Sequence, residues 1–245
     1  MAFRKFLSAL GVNAPSVETV LTTGDVRPGD TVTGHVTVQG GGADVDIEHL
    51  TLELVVRAEE RESDEHAWQN PYPVTSQRWD GPLRLEAGGT RTHEFALELP
   101  WETPLTHSNG RRVPGARAAV RTTLAIDNAV DRGDLDELAV HPLPLQQRLL
   151  DAYAELGFRL SEAEVKLGTV NGGHNQKSGH WQEFEIYAPP GRYNLTRLET
   201  VFIARADSLD LITGAHGPFP APYAELAERD WTGWLDEVLR KNFGR

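Results

Sequence analysis

Residues 25–38 read DVRPGDTVTGHVTV, and this stretch decides the fold class. Pro28 fixes φ at the first central position of a turn, and Gly29 accepts the positive φ that a type II turn needs at the second. Strict alternation follows. Val32, Gly34, Val36 and Val38 fall on one side, and Thr31, Thr33, His35 and Thr37 on the other. A period of two with one apolar side is the pattern of a strand in a half-solvated antiparallel sheet.

The same pattern recurs outward from this strand. VETVLTT (17–23) precedes it. Residues 45–57 alternate with Leu50, Leu52, Leu54 and Val56 inward. RTHEFALELP (91–100) places His93, Phe95, Leu97 and Leu99 together, and residues 116–127 place Ala118, Val120, Thr122, Leu124 and Ile126 together. Short strands punctuated by Gly and Pro predict a β-sandwich. From 141 the character changes. HPLPLQQ marks a boundary, and Leu145, Leu149, Tyr153 and Leu156 form a helical stripe that Gly157 ends. Strands resume at 163–170, 180–187, 197–206 and 208–213. The segment from Pro222 to Gly244 reads as a helix bearing Trp231 and Trp234. The first eleven residues read as a short amphipathic helix, with Phe3, Phe6, Leu7 and Leu10 in register. Docking on the protein's own core is the preferred reading of that helix; peripheral contact with a membrane is the alternative.

The predicted fold is therefore mainly β: two β-sandwich lobes with a short N-terminal helix, a connector helix and a C-terminal helix. The expected division is 1–140 for the first lobe, 141–157 for the connector and 158–245 for a smaller second lobe with its terminal helix.

Composition excludes several functions. The 245 residues carry 24 basic and 36 acidic side chains, a net charge of −12, which opposes nucleic-acid binding. The nearest basic cluster, Arg111, Arg112, Arg117 and Arg121, reads as a solvated face. The chain has no cysteine, so disulfides and thiol chemistry are absent, in keeping with a reducing compartment. No apolar run is long enough to span a membrane. The N-terminus lacks a long apolar core and a cleavage site, so the cytoplasm is the expected location.

The sequence carries few motifs of chemistry. There is no Gly-x-Ser-x-Gly elbow, P-loop or dinucleotide fingerprint. His174 and His180 bracket a glycine-rich loop but supply half a zinc site at most. The acidic stretch 125–138 fails the EF-hand spacing. No catalytic residue, cofactor or metal is expected. The polar loop HAWQNPYPVTSQRWDGP (66–82) is the candidate binding element, and Trp68, Tyr72 and Trp79 are its candidate partner-binding residues, because aromatic side chains on loops anchor contacts. The alternative is that its tryptophans fold back on the sheet edge.

Several segments, taken in order, carry a resemblance: VETVLTTGDVRPGDTVTGHVTVQGG (17–41), WETPLT (101–106) and TTLAIDNAVDRGDLDELAVHPLPLQQRLLDAYAELGF (122–158). Together they resemble the SpoOM-type sporulation-control proteins. The similarity is continuous to about residue 158 and looser over HWQEFEIYAPPGRYNLTRLETVFIA (180–204). The resemblance implies an arrestin-like fold and a non-enzymatic, intracellular regulatory role in sporulation or bacterial development. It brings no catalytic motif and no defined partner-binding residues. The expected function is that of an adaptor acting through protein partners, with self-association left open. The rival readings are a sandwich that binds carbohydrate or calcium, and an enzyme whose site the motifs do not reveal.

Overall fold

The computed structural model describes residues 14–59, 71–127 and 130–244. The expected N-terminal helix lies outside these residues.

The N-terminal lobe begins with β1 (Ser16–Leu21), β2 (Asp25–Val26), β3 (Thr31–Gln39) and β4 (Val45–Val56). It continues with β5 (Tyr72–Leu85), β6 (Thr90–Glu98), β7 (His107–Ser108) and β8 (Arg111–Arg112), then β9 (Ala118–Ile126), β10 (Arg132–Glu137) and β11 (Ala139–Val140). The main strands form two antiparallel sheets, β1-β3-β6 and β10-β9-β4-β5. Their inward residues meet in one core. Val32, Val36 and Val38 of β3 join Leu52 and Leu54 of β4 and Val120 and Leu124 of β9, all buried. The alternation read from the sequence is what permits this, since one face of each strand must enter the core.

The Pro28-Gly29 turn forms as expected. Gly29 has φ +85°, and the Asp30 N–H closes the turn on the Arg27 carbonyl at 3.0 Å. Gly34 is required for a different reason: a Cβ there would lie 2.3 Å from the Val20 carbonyl and 2.8 Å from the Phe95 ring.

The chain then enters α1 (Pro144–Glu155). Pro144 sits at its first turn, where a missing N–H costs nothing, and the Gln146 side chain accepts from the Leu143 N–H at 2.9 Å. Gly157, at φ +89°, takes the left-handed position just beyond its end. This helix belongs to the core: Leu145, Leu149, Ala152 and Tyr153 are buried.

The C-terminal lobe is one five-stranded antiparallel meander of β12 (Arg159–Leu167), β13 (His180–Tyr187), β14 (Arg197–Ala204), β15 (Ser208–Thr213) and β16 (His216–Pro222). A 3-10 turn (Tyr223–Glu225) and α2 (Trp231–Phe243) complete it. The two helices pack against each other and join the main core, where Trp231, Leu235 and Leu239 are fully buried. The Tyr153 hydroxyl of α1 reaches the hydroxyls of Thr200 and Thr213 on the sheet, at 3.0 and 2.9 Å. Across the sheet, Val201, Ile203 and Ile212 form a small second cluster with Val170 and Trp181.

Three elements differ from the sequence expectation. Much of the polar loop 66–82 is strand β5. Its alternation is broken where register shifts put extra residues into β5 opposite Leu54/Val55 and opposite Ile47/His49, and an edge strand keeps one face wet. The helix expected from Pro222 starts only at Trp231. Of the residues before it, Pro222 ends β16, whose prolines are tolerated because it is an edge strand, and Tyr223–Glu225 form the 3-10 turn. Within the acidic stretch 125–138, Arg132–Glu137 form strand β10, with Arg132 opposite Leu124 and Glu137 opposite Ala119.

Candidate functional site

The two lobes meet along residues 102–105 of one and 177–182 of the other, and a cleft of about 440 Å³ opens beside this seam. Its N-terminal wall comes from Tyr72 and Val74 at the start of β5 and from Pro100 and Trp101 just after β6. The opposite wall comes from Lys177 to His180, ahead of and into β13, and from Ala204 to Ala206 at the β14–β15 turn. Trp101 is 39% exposed although it is large and apolar. Its ring lies over Gly29, where any Cβ would come within 2.6 Å of it, so the opening turn of the sequence forms the seat of this side chain.

Hydrogen bonds fix the seam. The Glu102 carboxylate accepts from the backbone N–H groups of Lys177 (2.7 Å) and Ser178 (3.0 Å) and from the Ser178 hydroxyl. The Gln182 side chain accepts from the Leu105 N–H and donates to the Leu105 carbonyl, both at 2.7 Å. His180 is buried, and its ring meets Tyr72 edge to face with centroids 5.6 Å apart. Burial pushes the His180 pKa down, against the opposing pull of its hydrogen bond to the Glu102 carbonyl. On the far wall Arg205 is fully engaged. It holds Asp210 through two bonds of 2.8 and 3.0 Å and bonds the Ser208 hydroxyl, while Asn175 donates to the same carboxylate. Arg205, then Asn175, holds the Asp210 carboxyl below the usual range against its burial.

Ser178, His180 and Glu102 are the residue types of a nucleophilic triad, but they are bonded in another order. The Ser178 hydroxyl bonds the Glu102 carboxylate and the His180 carbonyl, and the His180 Nε2 bonds the Glu102 carbonyl. A triad needs the imidazole on the hydroxyl and the carboxylate on the imidazole. This arrangement holds two lobes together and presents an apolar, aromatic-lined surface.

Of the candidate residues named from sequence, Tyr72 lines the cleft. Trp79 sits seven residues further along β5, opposite Leu50, half-buried against the core. Trp68 lies outside the described residues. Trp101, Glu102 and Lys177 went unweighed as site residues. Trp101 and Glu102 open the WETPLT motif, and the signal available was a tryptophan directly after a strand-ending proline. Among the described residues no group of three or more His, Asp or Glu is placed to hold a metal ion. His174 is exposed while His180 is buried in the seam. Arg112 and Arg117 pair with Glu137, and Arg121 with Glu53, so three of the four arginines of the basic cluster are paired with carboxylates.

The sequence matches the profile of the SpoOM protein family over residues 3–215. The chain belongs to the SpoOM family. It is 29% identical over 242 residues to the sporulation-control protein spo0M of Bacillus subtilis (strain 168), spanning 96% of this chain and 85% of that one. The crystal structure of Spo0M from Bacillus subtilis superimposes with a TM-score of 0.77 at 25% identity, covering 94% of this chain and 99% of that chain. The mainly β, two-lobed fold expected from the resemblance is thus the fold found, and the family holds across the interlobe seam. No helix among the described residues is long and apolar enough to cross a membrane.

Proposed function

We propose that this chain is a non-enzymatic regulatory protein of the cytoplasm, acting in sporulation or a related developmental process by binding a protein partner in the interlobe cleft. The observation that carries this reading is the exposed Trp101 beside Tyr72 in a concave seam between lobes. Aromatic side chains in such a setting are the usual anchors of protein contacts. The name of the Bacillus subtilis relative supports the regulatory role. The bonding order of Ser178, His180 and Glu102 favours binding over turnover.

The test is a quantitative pull-down from the native cell with wild type, Trp101→Ala, Tyr72→Ala and, as the control on the same strand, Trp79→Ala, each first shown to melt as a folded protein. A partner retained by Trp79→Ala and lost by both cleft variants supports the reading. Equal recovery by all four moves the contact elsewhere, and turnover of a substrate that follows the purified protein overturns the non-enzymatic role.

A further inference from the structure

Among the described residues, the charges around the cleft are satisfied with one exception. Glu102 is spent on three donors of the opposite lobe, Arg205 is spent on Asp210, and buried His180 is held toward its neutral form. Lys177 differs. Its backbone N–H is pinned to Glu102, which fixes its Cα at the rim, while its side chain is exposed and its ammonium forms no ion pair among the described residues. A cation with no ion pair among the described residues therefore stands on a pinned backbone position beside an otherwise apolar wall of Tyr72, Val74, Pro100, Trp101, Ala204 and Ala206. This occurs in a chain of net charge −12, where cations are in the minority.

A second feature sets the shape of the occupant. β5 is the outer strand of its sheet, and the cleft takes its wall from Tyr72 and Val74, two residues apart on that strand. The strand is bulged here, with Leu54 opposite Thr75 and Val55 opposite Pro73, and both Tyr72 and Val74 line the cleft. An extended peptide laid in the cleft beside this edge would send alternate side chains against Tyr72, Val74 and Trp101.

We propose that the cleft recognises an extended acidic peptide segment, with an aromatic or aliphatic side chain seated against Trp101 and Tyr72 and a neighbouring carboxylate paired with the Lys177 ammonium. This rests on the reading of the cleft as the partner-binding surface and adds the chemistry of the partner. Affinity comes from the apolar side chain, because an exposed ion pair alone contributes little. Lys177 acts on specificity: it rewards an Asp or Glu at one position and rejects a Lys or Arg there.

The experiment is selection of a randomised peptide library of about ten residues, the length of a strand with flanks, displayed against the full chain. Binders retained by Trp101→Ala are discarded. The retained sequences are expected to carry Asp or Glu beside Trp, Phe or Leu. Selected peptides should bind Lys177→Ala about fivefold more weakly, as for one partly exposed ion pair, and Trp101→Ala about thirtyfold more weakly, as for a contact anchor. Selection against Lys177→Glu should exchange the acidic residue for Lys or Arg. Cleft-dependent peptides without acidic enrichment, or with affinity indifferent to Lys177, overturn the proposed chemistry and leave the cleft reading standing. A library that yields no Trp101-dependent binder overturns both.

Discussion

Glu102 and Ser178 lie 76 positions apart in the chain, in different lobes, and one carboxylate joins them by accepting the N–H and the hydroxyl of the same serine. The Lys177 N–H adds a third bond. Glu102→Ala leaves two backbone donors at the seam without a partner, and a stability loss of about 1–3 kcal/mol is expected. Hydrogen exchange of the Lys177 and Ser178 amides should speed up in this variant while that of β3 stays as in wild type. Unchanged protection at 177 and 178 would show that the clamp does not hold the lobes.

His180 gives the seam a dependence on pH. Burial lowers its pKa, so the folded state resists a proton that the unfolded chain accepts. As pH falls through about 6.5 the unfolded chain binds that proton first, and stability drops until the folded pKa is reached; above about 7 the effect is absent. Denaturant unfolding at pH 7.5 and 5.5, compared with His180→Asn, should show wild type losing more stability than the variant on acidification. Equal losses in the two proteins would refute this.

Asp210 works in the opposite sense. Its side chain is 3% exposed and depends on Arg205. Its pKa is depressed, so its contribution is present at neutral pH and is lost as pH falls through the usual carboxylate range and below. Arg205→Met leaves a buried carboxylate with Asn175 alone and is expected to cost about 3–5 kcal/mol, whereas Arg205→Met with Asp210→Leu recovers much of that loss. Melting temperatures of the single and double variants decide it, and a single variant as stable as wild type would sink the argument.

Tyr153 ties α1 to the C-terminal sheet through Thr200 and Thr213, and burial pushes its phenol up to about 12. Tyr153→Phe removes two hydrogen bonds but leaves the threonine hydroxyls 3.5 Å from each other. A loss of about 1–2 kcal/mol is expected. Spectrophotometric titration of the native protein should count one fewer late-ionising tyrosine in the variant, and no change in either measurement would contradict the assignment.

The sequence by itself determined the class of fold. The Pro28-Gly29 turn and the valines of 32–38 fix one strand and its inward face through backbone sterics and a period of two, which are local properties of the chain. The stripe of Leu145, Leu149 and Tyr153 ended by Gly157 fixes a helix by the same kind of local rule. Strand β5 escaped, since bulges that break its alternation are set by its pairing with β4. The site was legible only at Tyr72. Trp101 reads as one more aromatic after a strand, and Lys177 as one more polar residue in a loop; Glu102 brings them to one cleft through bonds that span more than seventy residues. Tertiary structure alone decided that meeting, because hydrogen bonds between lobes depend on how two separately patterned sheets dock, and no periodicity within either sheet encodes it.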